Sequence, residues 1–159
     1  MCFSRRAQPK VSVVITHRNR PGMLKQALQS VTKQTYKNIE VVLVDDGSDR
    51  PDALDYLRRL KPAFDRRGWK LLSQPNRYPG AARNLAASRA TGEYLLFMDD
   101  DNVAKPNEVS TFVRAMQASG ADVLTCFLDV FQGEWPPVKA RHGAFRWTDR
   151  KSTRLNSSH

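Results

Sequence analysis

Gly92-Glu93-Tyr94-Leu95-Leu96-Phe97-Met98-Asp99-Asp100-Asp101-Asn102 runs five apolar or aromatic residues straight into three carboxylates. A short continuous apolar run, opened by glycine and closed by polar residues, reads as a strand buried on both faces of a sheet. Three adjacent acids where the chain leaves such a strand repel one another. They require a positive partner, either a hard divalent cation held by carboxylate oxygens or the chain's own Lys and Arg. Open α/β sheets bind ligands at the ends of parallel strands, so the candidate site is placed here.

On either side of this stretch, strand and helix patterns alternate. Val11–Thr16 is β-branched and apolar, the pattern of a buried strand. The polar loop His17–Arg20 follows, and Pro21 suits a helix's first turn. Leu24, Ala27, Leu28 and Val31 recur at helical spacing up to about Thr32. Ile39–Val44 predicts a second strand that runs into Asp45-Asp46-Gly47-Ser48. Ser48 or Asp49 is expected to cap a helix with Pro51 in its first turn and Leu54 and Leu57 facing inward. Trp69–Ser73 reads as a weaker third strand, and Gln74–Gly80 as a loop by its Pro and Gly content. Ala81–Ala90 predicts an Ala-rich helix stopped by Gly92. Beyond the acids, Pro106 is expected to open a helix with Val109, Phe112, Val113 and Met116 on one face and Gly120 past its end. Asp122–Phe127 reads as a last strand. Such alternation predicts an α/β fold, its sheet mostly parallel with helices on both faces.

The 159 residues suit one domain with a sizeable core. Residues 1–10 form a polar lead-in, 11–131 the domain, and 132–150 an irregular region with Pro136-Pro137 and two Trp. Residues 151–159 are polar and Ser-rich and read as a linker-like, non-native tail. Lys and Arg number 26 against 16 Asp and Glu, a net charge of +10. Without Lys151 and Arg154 it is still +8, 24 basic residues against 16 acidic. A surplus of this size suits an anionic partner. The basic residues form no run of the kind found in nucleic-acid-binding arms, so no nucleic-acid partner is expected. Cys2 and Cys126 lie far apart, which argues against a disulfide framework or zinc site and suits a reducing compartment. Neither a signal peptide's apolar core nor a run long enough to span a membrane is present in the sequence, and a cytoplasmic location is the expectation.

Three strands leave polar residues at one edge of a parallel sheet: Thr16 to Asn19, Asp45-Asp46, and Asp99 to Asn102. The helix from Gly80 adds free backbone N–H groups with Arg83 and Asn84, an anion site beside the acids. Carboxylates next to such a helix start are what a metal–diphosphate ligand requires. Taken singly, each patch has a plainer reading: a capped turn for Asp45–Ser48, a solvated loop for Asp99–Asp101, a surface residue for Arg83. His17 reads as an ordinary polar residue. An EF-hand is excluded because Val103 stands where an oxygen ligand is needed.

Val11–Thr16, Val44-Asp45-Asp46-Gly47-Ser48, Gly80-Ala81-Ala82-Arg83-Asn84 and Phe97–Asn102, in this order, resemble family 2 glycosyltransferases, inverting enzymes of the GT-A fold. The similarity runs from about Val11 to Phe127. It implies a nucleoside-diphosphate sugar donor, with a UDP-sugar expected, a saccharide or other hydroxyl acceptor, and Mg²⁺ or Mn²⁺. By the resemblance Thr16 and Arg18 line the base pocket, where relatives often have Tyr in place of Arg18. Asp46 with Asp45 accepts from the base or ribose, and Arg83 faces the diphosphate. Asp99-Asp100-Asp101 fits the family's Asp-x-Asp motif, with Asp101 a direct metal ligand, Asp99 near the ribose and metal, and Asp100 at the donor. The family's catalytic base lies in a later acidic motif. Asp129, Glu134 and Asp149 do not match it, so the chain is expected to be the donor-binding half of a longer enzyme, or a donor-binding remnant without turnover. A response-regulator receiver also has an acidic pair and an acidic strand end. Its pair ends the first strand, whereas here a strand and helix come before it.

Overall fold

Val11–His17 (β1) is the strand on which the rest of the fold is laid, and every one of its residues is buried. The structure is a computed structural model that describes residues 8–126. In chain order the elements are β1, α1 (Pro21–Thr32), β2 (Ile39–Asp46), α2 (Pro51–Arg67), β3 (Lys70–Gln74), α3 (Tyr78–Arg89), β4 (Tyr94–Asp99) and α4 (Glu108–Ser119). The strands form one parallel sheet in the order β3-β2-β1-β4.

Alternate residues along the strands face opposite sides, and each side has its own cover. Val13, Ile15, Val41 and Leu43 pack against Leu24, Ala27, Leu28 and Val31 of α1 and Leu57 and Phe64 of α2. Val14, Val42 and Val44 pack against Ala82 and Ala86 of α3, whose methyl side chains let the helix lie close to the sheet. On the α1 side, Val109 and Val113 of α4 meet Val11 and Tyr36. Fully burying each of these aliphatic side chains contributes about 1.5–3 kcal/mol, which is why β1 is wholly apolar up to Thr16 except for Ser12.

Ser12 belongs to a polar pin at the strands' starting end. The buried Glu40 carboxylate accepts from Ser12 Oγ (2.6 Å), Thr91 N (2.6 Å), Thr91 Oγ1 (3.0 Å) and Lys10 Nζ (3.0 Å). Burial alone would raise this carboxyl. The Ser12 hydroxyl, the Thr91 N–H and the Lys10 ammonium outweigh it and hold the group at about 2.

Several expectations are corrected. β4 is open on one side: Leu95 is 42 % and Phe97 53 % exposed, because α3 lies over β1 and β2 and β4 is the sheet's edge among the described residues. Residues 122–126 pair with no described strand, so the expected strand Asp122–Phe127 is not formed over them, and Phe127 lies outside the described residues. α3 starts at Tyr78 and absorbs part of the expected loop, since Pro79 fits a helix's first turn. It ends at Arg89, and Gly92 plays a steric part instead: a Cβ there would lie 2.6 Å from Ser12 N and 2.8 Å from Lys10 O. α4 starts two residues after Pro106. Neither Ser48 nor Asp49 caps α2, and Leu54 faces outward. No described helix is long and apolar enough to cross a membrane.

Candidate functional site at the end of the sheet

The chain leaves β1 to one side, for β2 and β3, and returns on its other side as β4, so the winding reverses between β1 and β4. Such a switch point leaves a crevice outside the strand ends. The register brings the sequence patches together there. Thr16 is level with Asp99, His17 with Asp45, and Asp46 with Gln74. An acidic pair that closes the second strand, not the first, sets this arrangement apart from a receiver domain.

Each acid has a different environment. Asp45 and Asp46 lie within β2 and are 4 % exposed. Asp45 accepts from Ser48 Oγ (2.5 Å) and Ser48 N (3.3 Å), which ties the β2–α2 turn to its own strand. Asp46 Oδ1 accepts from Gln74 Nε2 (2.7 Å) and Arg77 N (2.9 Å), while its Oδ2 has no partner among the described residues. The turn passes through Gly47 at φ +72°, and a Cβ there would sit 2.7 Å from Asn76 N. Asp99, half exposed, accepts from Arg83 Nη2 of α3 at 2.6 Å. At the start of α3, Arg77 N donates to Asp46 Oδ1, Tyr78 N donates to Asn76 Oδ1 at 3.4 Å and Pro79 has no N–H, so of these first groups the N–H of Gly80 is left for solvent or ligand. Thr16 is buried and Arg18 is exposed on the loop that follows.

Asp100 departs from the donor-contacting place expected of it. Its carboxylate is wholly buried and bound to His17 Nδ1 (2.7 Å) and to Arg20 Nη2. An unpaired carboxylate cannot be kept from water at small cost, and these two groups compensate it. A carboxylate only accepts, so His17 donates from Nδ1, and its buried Nε2 has no partner among the described residues. The other nitrogen of Arg20, Nη1, donates to the exposed Asp101 at 2.8 Å. Positive partners for the acids therefore include the chain's own arginines.

Three residues of this edge stand out only in the structure: in the sequence His17 reads as ordinary, Arg20 as loop and Asn19 as part of a polar strand end. Asn19, at φ +57°, accepts from Asp49 N and Arg50 N at 3.0 Å each and donates from its own N–H to Ser48 Oγ at 2.9 Å. It thus staples the loop after β1 to the loop after β2. An Asn between basic residues after a strand, a type that tolerates left-handed backbone, was the available signal.

Among the described residues no three His, Cys, Asp or Glu side chains converge as a ready metal cage. Mg²⁺ and similar cations are commonly held by one or two carboxylates plus substrate phosphates. Asp99 and Asp101, each with more than two-fifths of its side chain exposed, fit that mode. The buried Asp100 does not.

Residues 12–158 match the family described as Glycosyl transferase family 2. The glycosyltransferase GlyG of Streptococcus pneumoniae is 36% identical over 118 residues, covering 72% of this chain and 37% of that protein. Among solved structures, S. aureus TarS 1-349 in complex with UDP-GlcNAc superposes with a TM-score of 0.58 at 26% identity, over 71% of this chain and 32% of that one. The mannosyltransferase PcManGT from Pyrobaculum calidifontis, in complex with GDP-Man and Mn²⁺, gives 0.58 at 25% identity, over 70% and 32%. The chain thus spans well under half the length of these relatives. The parallel sheet flanked by helices is the GT-A architecture of those neighbours, and with the match over residues 12–158 it shows that the chain belongs to glycosyl transferase family 2.

Proposed function

We propose that this chain is the donor-binding part of an inverting, metal-dependent glycosyltransferase that uses a UDP-sugar. The observation that carries the reading is the meeting of Asp46, Asp99, Asp101 and Arg83 at the switch point between β1 and β4. Thr16 and Arg18 border the base, Asp46 with Asp45 beside it accepts from base or ribose donors through its free Oδ2, and Arg83 with the start of α3 faces the diphosphate. Asp101, with Asp99, would hold Mg²⁺ or Mn²⁺. Bound there, the cation neutralises negative charge that develops on the departing diphosphate. TarS and PcManGT, crystallised with nucleotide sugars, support the donor class.

Transfer requires a base that takes the proton of the acceptor hydroxyl as it attacks the sugar's anomeric carbon. None of these acids is left for that part: Asp45, Asp99, Asp100 and Asp101 are engaged by side chains, and the free Oδ2 of Asp46 is given to the donor. The base and the acceptor pocket are therefore assigned to the longer protein.

Calorimetric titration of UDP with and without Mn²⁺ tests the reading. Metal-dependent binding that falls at least tenfold, about 1.4 kcal/mol, in Asp101→Ala is expected. Equal binding with and without the metal, or in the variant, would overturn the metal assignment. Failure of a chain folded by circular dichroism to bind UDP at all would overturn the donor.

A further inference from the structure

Resting on that reading, we infer that Arg20 is a built-in counter-ion that occupies Asp101 when no cation is bound and changes partner when the donor arrives. Its guanidinium bridges two carboxylates of opposite character. Nη2 is held by Asp100, which is wholly buried and fixed from its other oxygen by His17. Nη1 is on Asp101, which has 43 % of its side chain exposed and no other side-chain partner among the described residues. The two ends differ in what it takes to break them. Separating Arg20 from Asp100 would leave a buried charge half compensated, whereas the exposed Asp101 pair is worth little on its own. The guanidinium is thus anchored at one end and releasable at the other.

A cation arriving at Asp101 meets this bond first. It must displace Nη1 before it can take the carboxylate, so binding of the bare cation is weakened. Once Asp101 is taken, Nη1 is left without a carboxylate while Nη2 stays anchored, and the free donor pair sits beside the site where an anion is expected. The diphosphate supplies the replacement partner, and guanidinium suits phosphate oxygens. Cation alone is disfavoured, and cation with diphosphate is accepted. This couples the two ligands, and linkage requires the coupling to be reciprocal.

The inference predicts effects of opposite sign in one variant. For Arg20→Gln, Mn²⁺ alone, measured by electron paramagnetic resonance of the free ion, is expected to bind roughly threefold to tenfold more tightly than in the parent chain. UDP, titrated at saturating Mn²⁺, is expected to bind more weakly by a similar factor. The double variant Arg20→Gln/Asp101→Asn distinguishes exchange at Asp101 from diffuse repulsion. If the pair is what matters, the double variant binds Mn²⁺ no better than Asp101→Asn alone. Unchanged or weaker Mn²⁺ binding in Arg20→Gln overturns the inference, as does a gain that survives in the double variant. Should Arg20→Gln not fold, Arg20→Gln/Asp100→Asn removes the buried charge together with its partner and is expected to show the same tighter Mn²⁺ binding. If Asp101→Asn leaves Mn²⁺ binding intact, the metal assignment under Proposed function is what fails.

Discussion

At the scale of single residues, the two ends of the sheet use charge in contrasting ways. The starting end buries one carboxylate, Glu40, and satisfies it with four hydrogen bonds from Ser12, Thr91 and Lys10. Its folded value of about 2 lies below the ordinary 4.5. A depressed carboxyl contributes stability that is fully present above its unfolded value and is lost as pH falls through the folded one. The difference amounts to about 3 kcal/mol at neutral pH, lost between roughly pH 5 and pH 2. Urea unfolding followed down that range is expected to show the loss, and Glu40→Gln should flatten it. At the other end, the places of Asp46 and Asp99 were legible from sequence because each follows an apolar run with a plain strand pattern. The His17–Asp100–Arg20 group was not, since it joins residues about 80 positions apart in the sequence. Only the β1–β4 register brings them together, and no local periodicity records a register.

At the scale of elements, two glycines hold the framework for different reasons. Gly92 needs no special backbone angle but lies against the β1 backbone, where even a methyl group would overlap Ser12 N and Lys10 O. Gly47 combines positive φ with close approach of Asn76. Gly92→Ala is expected to cost about 2 kcal/mol or more through overpacking against backbone, with UDP affinity of the folded fraction unchanged. Gly47→Ala should cost about 1–3 kcal/mol and also weaken UDP binding, because Arg77, next to the displaced Asn76, positions Asp46 through its N–H. Denaturant midpoints together with calorimetry separate the two. The order of strands and helices was readable from apolar periodicity. The starts of α1 and α2 at Pro21 and Pro51 were readable as well, but those of α3 and α4 were not, since Pro79 and Pro106 look alike in sequence, yet Pro79 lies in a first turn and Pro106 lies two residues ahead of one. The sequence is equally silent on what covers β4: Leu95 and Phe97 are apolar enough for a strand buried on both faces, and burial depends on how far α3 reaches.

At the scale of the molecule, this open face has a consequence. Phe97 and Leu95 present apolar surface beside an edge strand, a combination that favours association between chains. Phe97→Ser is expected to change stability by less than about 1 kcal/mol, because half of the side chain is already in water. It should also lower self-association measured by sedimentation velocity. Equal association in the variant would clear this face of the effect.

The position of β1 also sets a timetable. Among the described strands, the first to be made is an interior strand of the sheet, and one of its two neighbours is the last to be made. Pairing Val11 with Ile39 closes a short stretch of chain, but pairing it with Tyr94 must wait for more than twice that length. Until then the wholly buried β1 carries an unsatisfied ladder edge, and distant pairing of this kind slows folding. The same late event aligns Thr16 with Asp99. The crevice therefore exists only once β4 has paired with β1, and a nascent chain cannot hold its ligand there before that.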